Sequence, residues 1–240
     1  MIPWLTDNSP FPPVERALHS PNGLLAAGGD LSASRLLEAY RHGIFPWFNP
    51  GEPVLWWSPD PRMVLIPGEF KTSRSLAKVL RNGIYEVRCD TAFEQVMRAC
   101  AAPRAAHPNS QPGSWIGEDM IAAYGALHQM GYAHSVEVWM EGKLVGGLYG
   151  VCIGRMFYGE SMFSYADNAS KIALAFLSRQ LERWQFAMID CQMKTPHLAT
   201  LGAREIQRSE FIARLQELIH CAPVTHWQFD LNPSPPQPSP

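Results

Sequence analysis

Apolar and polar positions follow two regimes along the chain. Up to about residue 61, Pro and Gly recur every few positions (Pro10, Pro12, Pro13, Pro21, Gly28, Gly29, Gly43, Pro46, Pro50), which predicts turns and short extended pieces. One helix interrupts them. Ala33, Leu36, Leu37 and Tyr40 form an i, i+3, i+4, i+7 stripe, with Asp30 or Ser32 to cap it and Gly43 to end it. An aromatic loop at 44–50 and an apolar piece at 54–58 follow.

From residue 62 the periods become regular. Strands are predicted at 63–66 and 85–89, a helix after Thr72 or Ser73 that stops at Gly83, and a helix capped by Asp90 or Thr91. An Ala/Pro loop spans 101–113, and a helix covers 118–130. Period-two alternation at 134–139, a Glu141-Gly142 turn, 143–151 and 155–163 form a meander. A long helix from Asn168 or Ser170 to Trp184 leads to a strand at 187–193, a short helix near Leu198, a strand at 205–206 and a last helix at 210–220. Strands 155–163 and 187–193 should lie parallel, joined by a crossover helix. This is the order of the acetyltransferase-like (GNAT) fold. The expected class is α+β: a small N-terminal α/β domain (1–61), a GNAT-like domain with a mixed, mostly antiparallel sheet (62–229), and a disordered Pro-rich tail (230–240). In such a sheet a ligand binds near the carboxyl ends of the parallel pair.

Composition narrows the class. With 46% hydrophobic and 18% charged residues over 240 positions, the chain is globular rather than disordered. No apolar run approaches the ~20 residues of a membrane span, and the first residues lack a signal peptide's basic and apolar regions. A cytoplasmic protein is expected. The five cysteines contain no C-x-x-C pair and the eight histidines no H-x-x-x-H, so no metal site is expected. Net charge is −2, so a polyanionic partner would need a local basic patch.

Such a patch is legible. Arg74, Lys78 and Arg81 fall within about 60° on one helix face, opposite Leu76, Val79 and Leu80, and Lys71 flanks the same edge. Segregated cations suit phosphate binding, whereas a merely solvated face usually mixes signs. Asp190 and Gln192, two apart at the end of an apolar strand, should share a face where a carboxylate and an amide could handle an amine. A strand-end Asp that only caps a turn would read the same. Glu160, polar in an aromatic strand beside the expected ligand site, could bind a cation. The Gly-rich stretch 145–150 matches neither G-x-G-x-x-G nor a Walker loop. The turn 164–171 lacks the glycines of an acyl-CoA pyrophosphate loop, which weakens an acetyl-CoA reading.

Eight runs then resemble one family in unbroken order from about 11 to 215. They are Pro21-Asn-Gly-Leu-Leu-Ala-Ala-Gly-Gly-Asp30, Gly43-Ile-Phe-Pro-Trp-Phe48, Leu55-Trp-Trp-Ser-Pro-Asp-Pro-Arg62, Ser73-Arg-Ser75, His134-Ser-Val-Glu137, Gly159-Glu-Ser-Met-Phe-Ser164, Asn168-Ala-Ser-Lys171 and Ile189-Asp-Cys-Gln192. The family is that of the bacterial leucyl/phenylalanyl-tRNA–protein transferases. The resemblance implies transfer of Leu or Phe (Met less well) from aminoacyl-tRNA to the N-terminal Arg or Lys of a protein, creating an N-degron. It implies a small N-terminal domain on a GNAT-like domain, and a monomer that needs no cofactor or membrane. Its catalytic residues map to Asp190, Gln192 and Glu160. Its stacking tryptophans for the 3′-adenosine map to Trp47 and Trp115, and its apolar side-chain pocket to Leu148, Phe157, Met162, Leu174, Leu177 and Ile189. Its tRNA surface falls on Lys71, Arg74, Lys78 and Arg81. Rival readings are a CoA-dependent N-acetyltransferase and a non-catalytic tRNA-binding protein.

Overall fold

A computed structural model describes residues 2–6, 9–102 and 115–230. Its elements run β1 (Trp4–Leu5), β2 (Leu24–Gly28), α1 (Ala33–Arg41), β3 (Phe45–Pro46), β4 (Leu55–Trp57), β5 (Arg62–Leu65), α2 (Arg74–Asn82), β6 (Glu86–Cys89), α3 (Phe93–Ala101) and α4 (Glu118–Gln129). After these come β7 (Ala133–Met140), β8 (Lys143–Ile153), β9 (Met156–Ser164), α5 (Ala169–Arg183), β10 (Met188–Asp190), α6 (Pro196–Thr200), β11 (Arg204–Ile206) and α7 (Arg208–Leu218).

The Pro/Gly-rich N-terminal stretch is more ordered than its composition suggests. Its short pieces assemble into a four-stranded sheet, β1-β2-β4-β3, with α1 inserted between β2 and β3. Four strands of two to five residues carry no readable period; only pairing reveals them. The second sheet has seven strands in the order β11-β5-β10-β9-β8-β7-β6. β6 to β9 form the antiparallel meander, β9 and β10 run parallel, and β5 joins antiparallel beyond them. This is the expected GNAT-like order, with α5 as the crossover helix. Gly146 lets that helix sit close to β8: a Cβ there would lie 2.3 Å from the Ala169 side chain. The Gly-rich run therefore serves packing rather than nucleotide binding.

The buried core does not stop where one sheet gives way to the other. One apolar cluster joins Leu25, Trp56 and Phe45 of the first sheet to Tyr124 of α4, Tyr158 of β9 and Phe211 of α7. A second cluster lies on the opposite face, under α2 and α5. The His134-Ser-Val-Glu137 run is a buried scaffold for α3. Glu137 accepts hydrogen bonds from Thr91 Oγ1 (2.8 Å) and Ser135 Oγ (2.5 Å), and lies 3.4 Å from the backbone nitrogens of Thr91 and Ala92 at the helix start. Asp90 and Thr91 were the expected caps. Instead Ala92 occupies the cap position with no side-chain bond, and Asp90 accepts from the Ser135 backbone and pairs with His134. The Ala/Pro loop (from 103) and the Pro-rich tail (from 231) lie outside the described residues.

Candidate active site

β9 and β10 pair only as far as Tyr158 and Asp190, while β9 continues along β8 to Ser164. The two strands therefore part, and a cavity of about 850 Å³ opens between them. Leu148, Phe157, Met162, Leu174, Leu177 and Ile189 wall it, and Trp47 and Trp115 stand in the lining. All eight positions named from the resemblance thus meet in one place. Trp47 is 38% exposed and is braced from behind by Trp57, whose indole N–H donates to the Trp47 carbonyl at 2.7 Å. An exposed indole on a fixed backbone is a ready stacking surface.

Glu160 enters the cavity by a β-bulge. Gly150 faces Gly159 and Tyr149 faces Ser161, which leaves Glu160 as the extra residue on β9. A bulge re-aims one side chain out of the alternation. Gly150 makes room for it, since a Cβ there would lie 2.2 Å from the Tyr158 carbonyl oxygen. Glu160 accepts from the Tyr124 hydroxyl at 3.2 Å and from the Gln192 amide at 3.5 Å, and Tyr124 in turn hydrogen-bonds Tyr40. Burial is the main cause that pushes the Glu160 carboxyl up to about 8, and the nearby Asp190 charge adds to it; the Tyr40 and Tyr124 hydrogen bonds and Arg62 oppose. Burial likewise holds the Tyr40, Tyr124 and Tyr149 hydroxyls well above their ordinary range. Sequence reasoning missed all three tyrosines, because their periodicity marks them only as core.

Asp190 corrects the expectation of a shared face with Gln192. β10 ends at Asp190, and Gln192 has φ +55°, so strand alternation does not reach it. Gln192 lines the cavity; Asp190 does not. The Asp190 carboxylate is fully buried and takes both Arg62 Nε (2.8 Å) and Arg62 Nη2 (2.6 Å), plus the Gln192 backbone N–H at 2.9 Å. Arg62 also donates to the Gly43 carbonyl at 3.0 Å and lies between the Phe45 and Phe211 rings. Sequence reasoning missed Arg62 as well. Only its place at the start of an apolar strand hinted that a buried cation would need a distant acid. Asp190 therefore sets the backbone that carries Gln192, and it touches no ligand space.

The basic helix forms as expected. The Ser73 hydroxyl accepts from the Leu76 N–H, Gly83 ends α2 in the left-handed region, and Leu76 and Leu80 are buried. Lys71, Arg74, Lys78 and Arg81 are exposed, and among the described residues no acid pairs with them. They are not part of the cavity lining. No group of His, Cys, Asp and Glu among the described residues could hold a metal ion, and no helix there is long and apolar enough to cross a membrane.

Comparison with known proteins gives the same direction from end to end. A family model described as "Leucyl/phenylalanyl-tRNA protein transferase" matches residues 64–216, and that of the family's N-terminal domain matches residues 29–60. The transferase of Nitrosospira multiformis is 67% identical over 220 residues, covering 92% of this chain and 93% of its own length. That of Nitrosomonas europaea is 64% identical over 232 residues, covering 96% of each. Among solved structures, a GCN5-related N-acetyltransferase from Kribbella flavida aligns over 70% of this chain and 59% of its own, at 12% identity and a TM-score of 0.34. Both segments of the family, in order and at high identity to its members, are present here: the chain belongs to the leucyl/phenylalanyl-tRNA–protein transferases, enzymes that move leucine or phenylalanine from aminoacyl-tRNA to a protein.

Proposed function

We propose that the acceptor is a protein with Arg or Lys at its N-terminus, and that Glu160 receives its cationic end. One observation carries this reading. Among the described residues, Glu160 is the acidic side chain lining a cavity whose other walls are apolar and aromatic apart from Ser161, Ser164, Ser170, Gln192, Thr195 and His197, and no Lys or Arg lines it. The apolar walls suit the Leu or Phe side chain of the donor, Met filling the same space less well, and Trp47 and Trp115 suit its 3′-adenosine. Lys71, Arg74, Lys78 and Arg81 would hold tRNA phosphates. Gln192 would hold the reacting groups in register, with Asp190 and Arg62 as positioning residues beneath it.

Aminolysis of an aminoacyl ester is downhill, so the chemistry needs alignment, a neutral amine and support for the tetrahedral oxyanion rather than a nucleotide, metal or other cofactor. Aminoacyl-tRNA as the donor supports a cytoplasmic enzyme, and we propose that it acts as a monomer. The test is transfer of labelled Phe from Phe-tRNA to peptides that start with Arg, Lys, Ala or Asp. Product with the first two alone supports the reading; equal product with all four overturns the acceptor class.

A further inference from the structure

After α7 the chain forms neither helix nor strand as far as Asp230, yet it is docked. Val224, Trp227 and Phe229 pack into the apolar cluster beneath α2 and α5, while the residues between them are exposed. The end of the segment is pinned to α5. The Asp230 backbone N–H donates to the Gln180 side-chain oxygen at 3.0 Å, and Arg183 Nη1 donates to the Asp230 carbonyl at 3.0 Å. All of this lies beyond residue 216, where the family match ends.

Trp227 is the centre of the docked segment. Its ring lies 3.8 Å from that of His134 on β7 and nearly parallel to it (11°), with Trp184 edge-on at 5.1 Å. His134 is a fixed platform, because its two ring nitrogens meet Asp90 at 2.7 Å and the Gly131 carbonyl at 3.2 Å. The Trp227 indole N–H has no hydrogen-bond partner among the described residues, so packing alone holds the ring. Phe157 of β9 lies 5.8 Å from it, centroid to centroid, and among the described residues Trp227 is its one ring partner. Phe157 also crosses Gly150 of β8 closely: a Cβ there would lie 2.6 Å from the Phe157 ring. A ring that meets unyielding backbone on β8 and an indole at Trp227 has little freedom to move. That ring is also a wall of the apolar pocket.

We infer that Trp227 sets how far the Phe157 ring stands into the apolar pocket, and with it the largest donor side chain that the pocket accepts. Trp227 is a positioning residue: it acts through Phe157 and is not part of the cavity lining. This rests on the reading above that these walls take the Leu or Phe side chain of the donor. Close-packed interiors pass displacement from one side chain to the next. Removing the indole leaves a void beside Phe157. The ring then retreats into it, the pocket deepens, and bulky side chains gain over small ones. The segment past the family match thus tunes selectivity from behind the wall.

The test is binding of two stable donor analogues, 3′-amino-3′-deoxyadenosine carrying leucine or tryptophan in amide linkage, by calorimetry without acceptor. Trp227→Ala should raise the affinity for the tryptophan analogue relative to the leucine analogue by about tenfold over wild type. Trp227→Phe, which keeps a ring in place, should return most of the way to the wild-type ratio. Phe229→Ala loses packing in the same segment and should also melt lower, but its ring contact is Trp184 and not Phe157, so its ratio should stay that of wild type. If Trp227→Ala does not fold, Trp227→Leu reads the same ratio. An unchanged or lowered ratio in the Trp227 variant overturns the inference, and so does an equal shift in Phe229→Ala. Phe157→Leu separates this inference from the pocket reading beneath it. A ratio that moves in Phe157→Leu but not in the Trp227 variant overturns the role of Trp227 alone. A ratio that moves in neither, or wild type that binds neither analogue, overturns the pocket reading and this inference with it.

Discussion

Glu160 has an effect on stability as well as on the reaction. Its carboxyl titrates near 4.5 when unfolded and at about 8 when folded, so the folded chain keeps a proton that the unfolded chain releases. Stability is then lost as pH rises from about 4.5 to 8 and is level above. Glu160→Gln removes that titration. Thermal melts should show the variant matching wild type near pH 4 and exceeding it by about a few kcal/mol at pH 9; a constant gap across pH would refute the assignment. The buried Arg62–Asp190 pair is instead a case where removing one partner destabilises. Arg62→Met leaves a fully buried carboxylate without its partner and should cost about 3–5 kcal/mol, while the Arg62→Met/Asp190→Leu double variant should regain most of this. Urea midpoints for the two single variants and the double variant close the cycle. Of these residues, sequence patterning exposed Glu160 and Asp190 as polar breaks in apolar strands. It could not show that Asp190 faces inward, because a partner 128 positions away decides which side of a strand end is wet.

Helix α2 was legible in full: cap, stop, buried stripe and cationic face all follow from spacing within one short segment. Its role is testable apart from its fold. Changing Arg74, Lys78 and Arg81 to Ala should flatten the salt dependence of aminoacyl-tRNA binding by slightly less than one unit of slope for each phosphate no longer neutralised. Reaction with phenylalanyl-adenosine, which stops at the cavity, should stay nearly intact, and melting should move little. Equal loss with both donors would make the helix a support rather than a phosphate surface. Strand β10 was the least legible element. Its apolar run reads on to Met193, but its pairing stops at Asp190, and the opening of the cavity depends on that early stop. The bulge at Glu160 was equally hidden, since an extra residue in a strand is defined only by the strand opposite.

Two sheets share one core. Arg62 ties the Gly43 carbonyl and the Phe45 ring to β10 and to Phe211 of α7, and the Tyr158 hydroxyl donates to the Tyr40 carbonyl at 2.9 Å. We expect one unfolding transition, with calorimetric and van't Hoff enthalpies equal, and no cooperative melt from a chain that starts at residue 62. Two separate transitions would contradict it. The aromatic residues that hold these regions together also make the protein optically legible. Trp47 and Trp57 lie 5.4 Å apart at the cavity, and Trp184 and Trp227 lie 5.1 Å apart beneath α5 and the C-terminal segment. Indoles that close couple their excited states, so each pair gives its own near-ultraviolet dichroism. A nucleoside stacked on Trp47 would disturb the first signal and leave the second as an internal reference, so donor occupancy could be followed by light alone, without a label on either substrate.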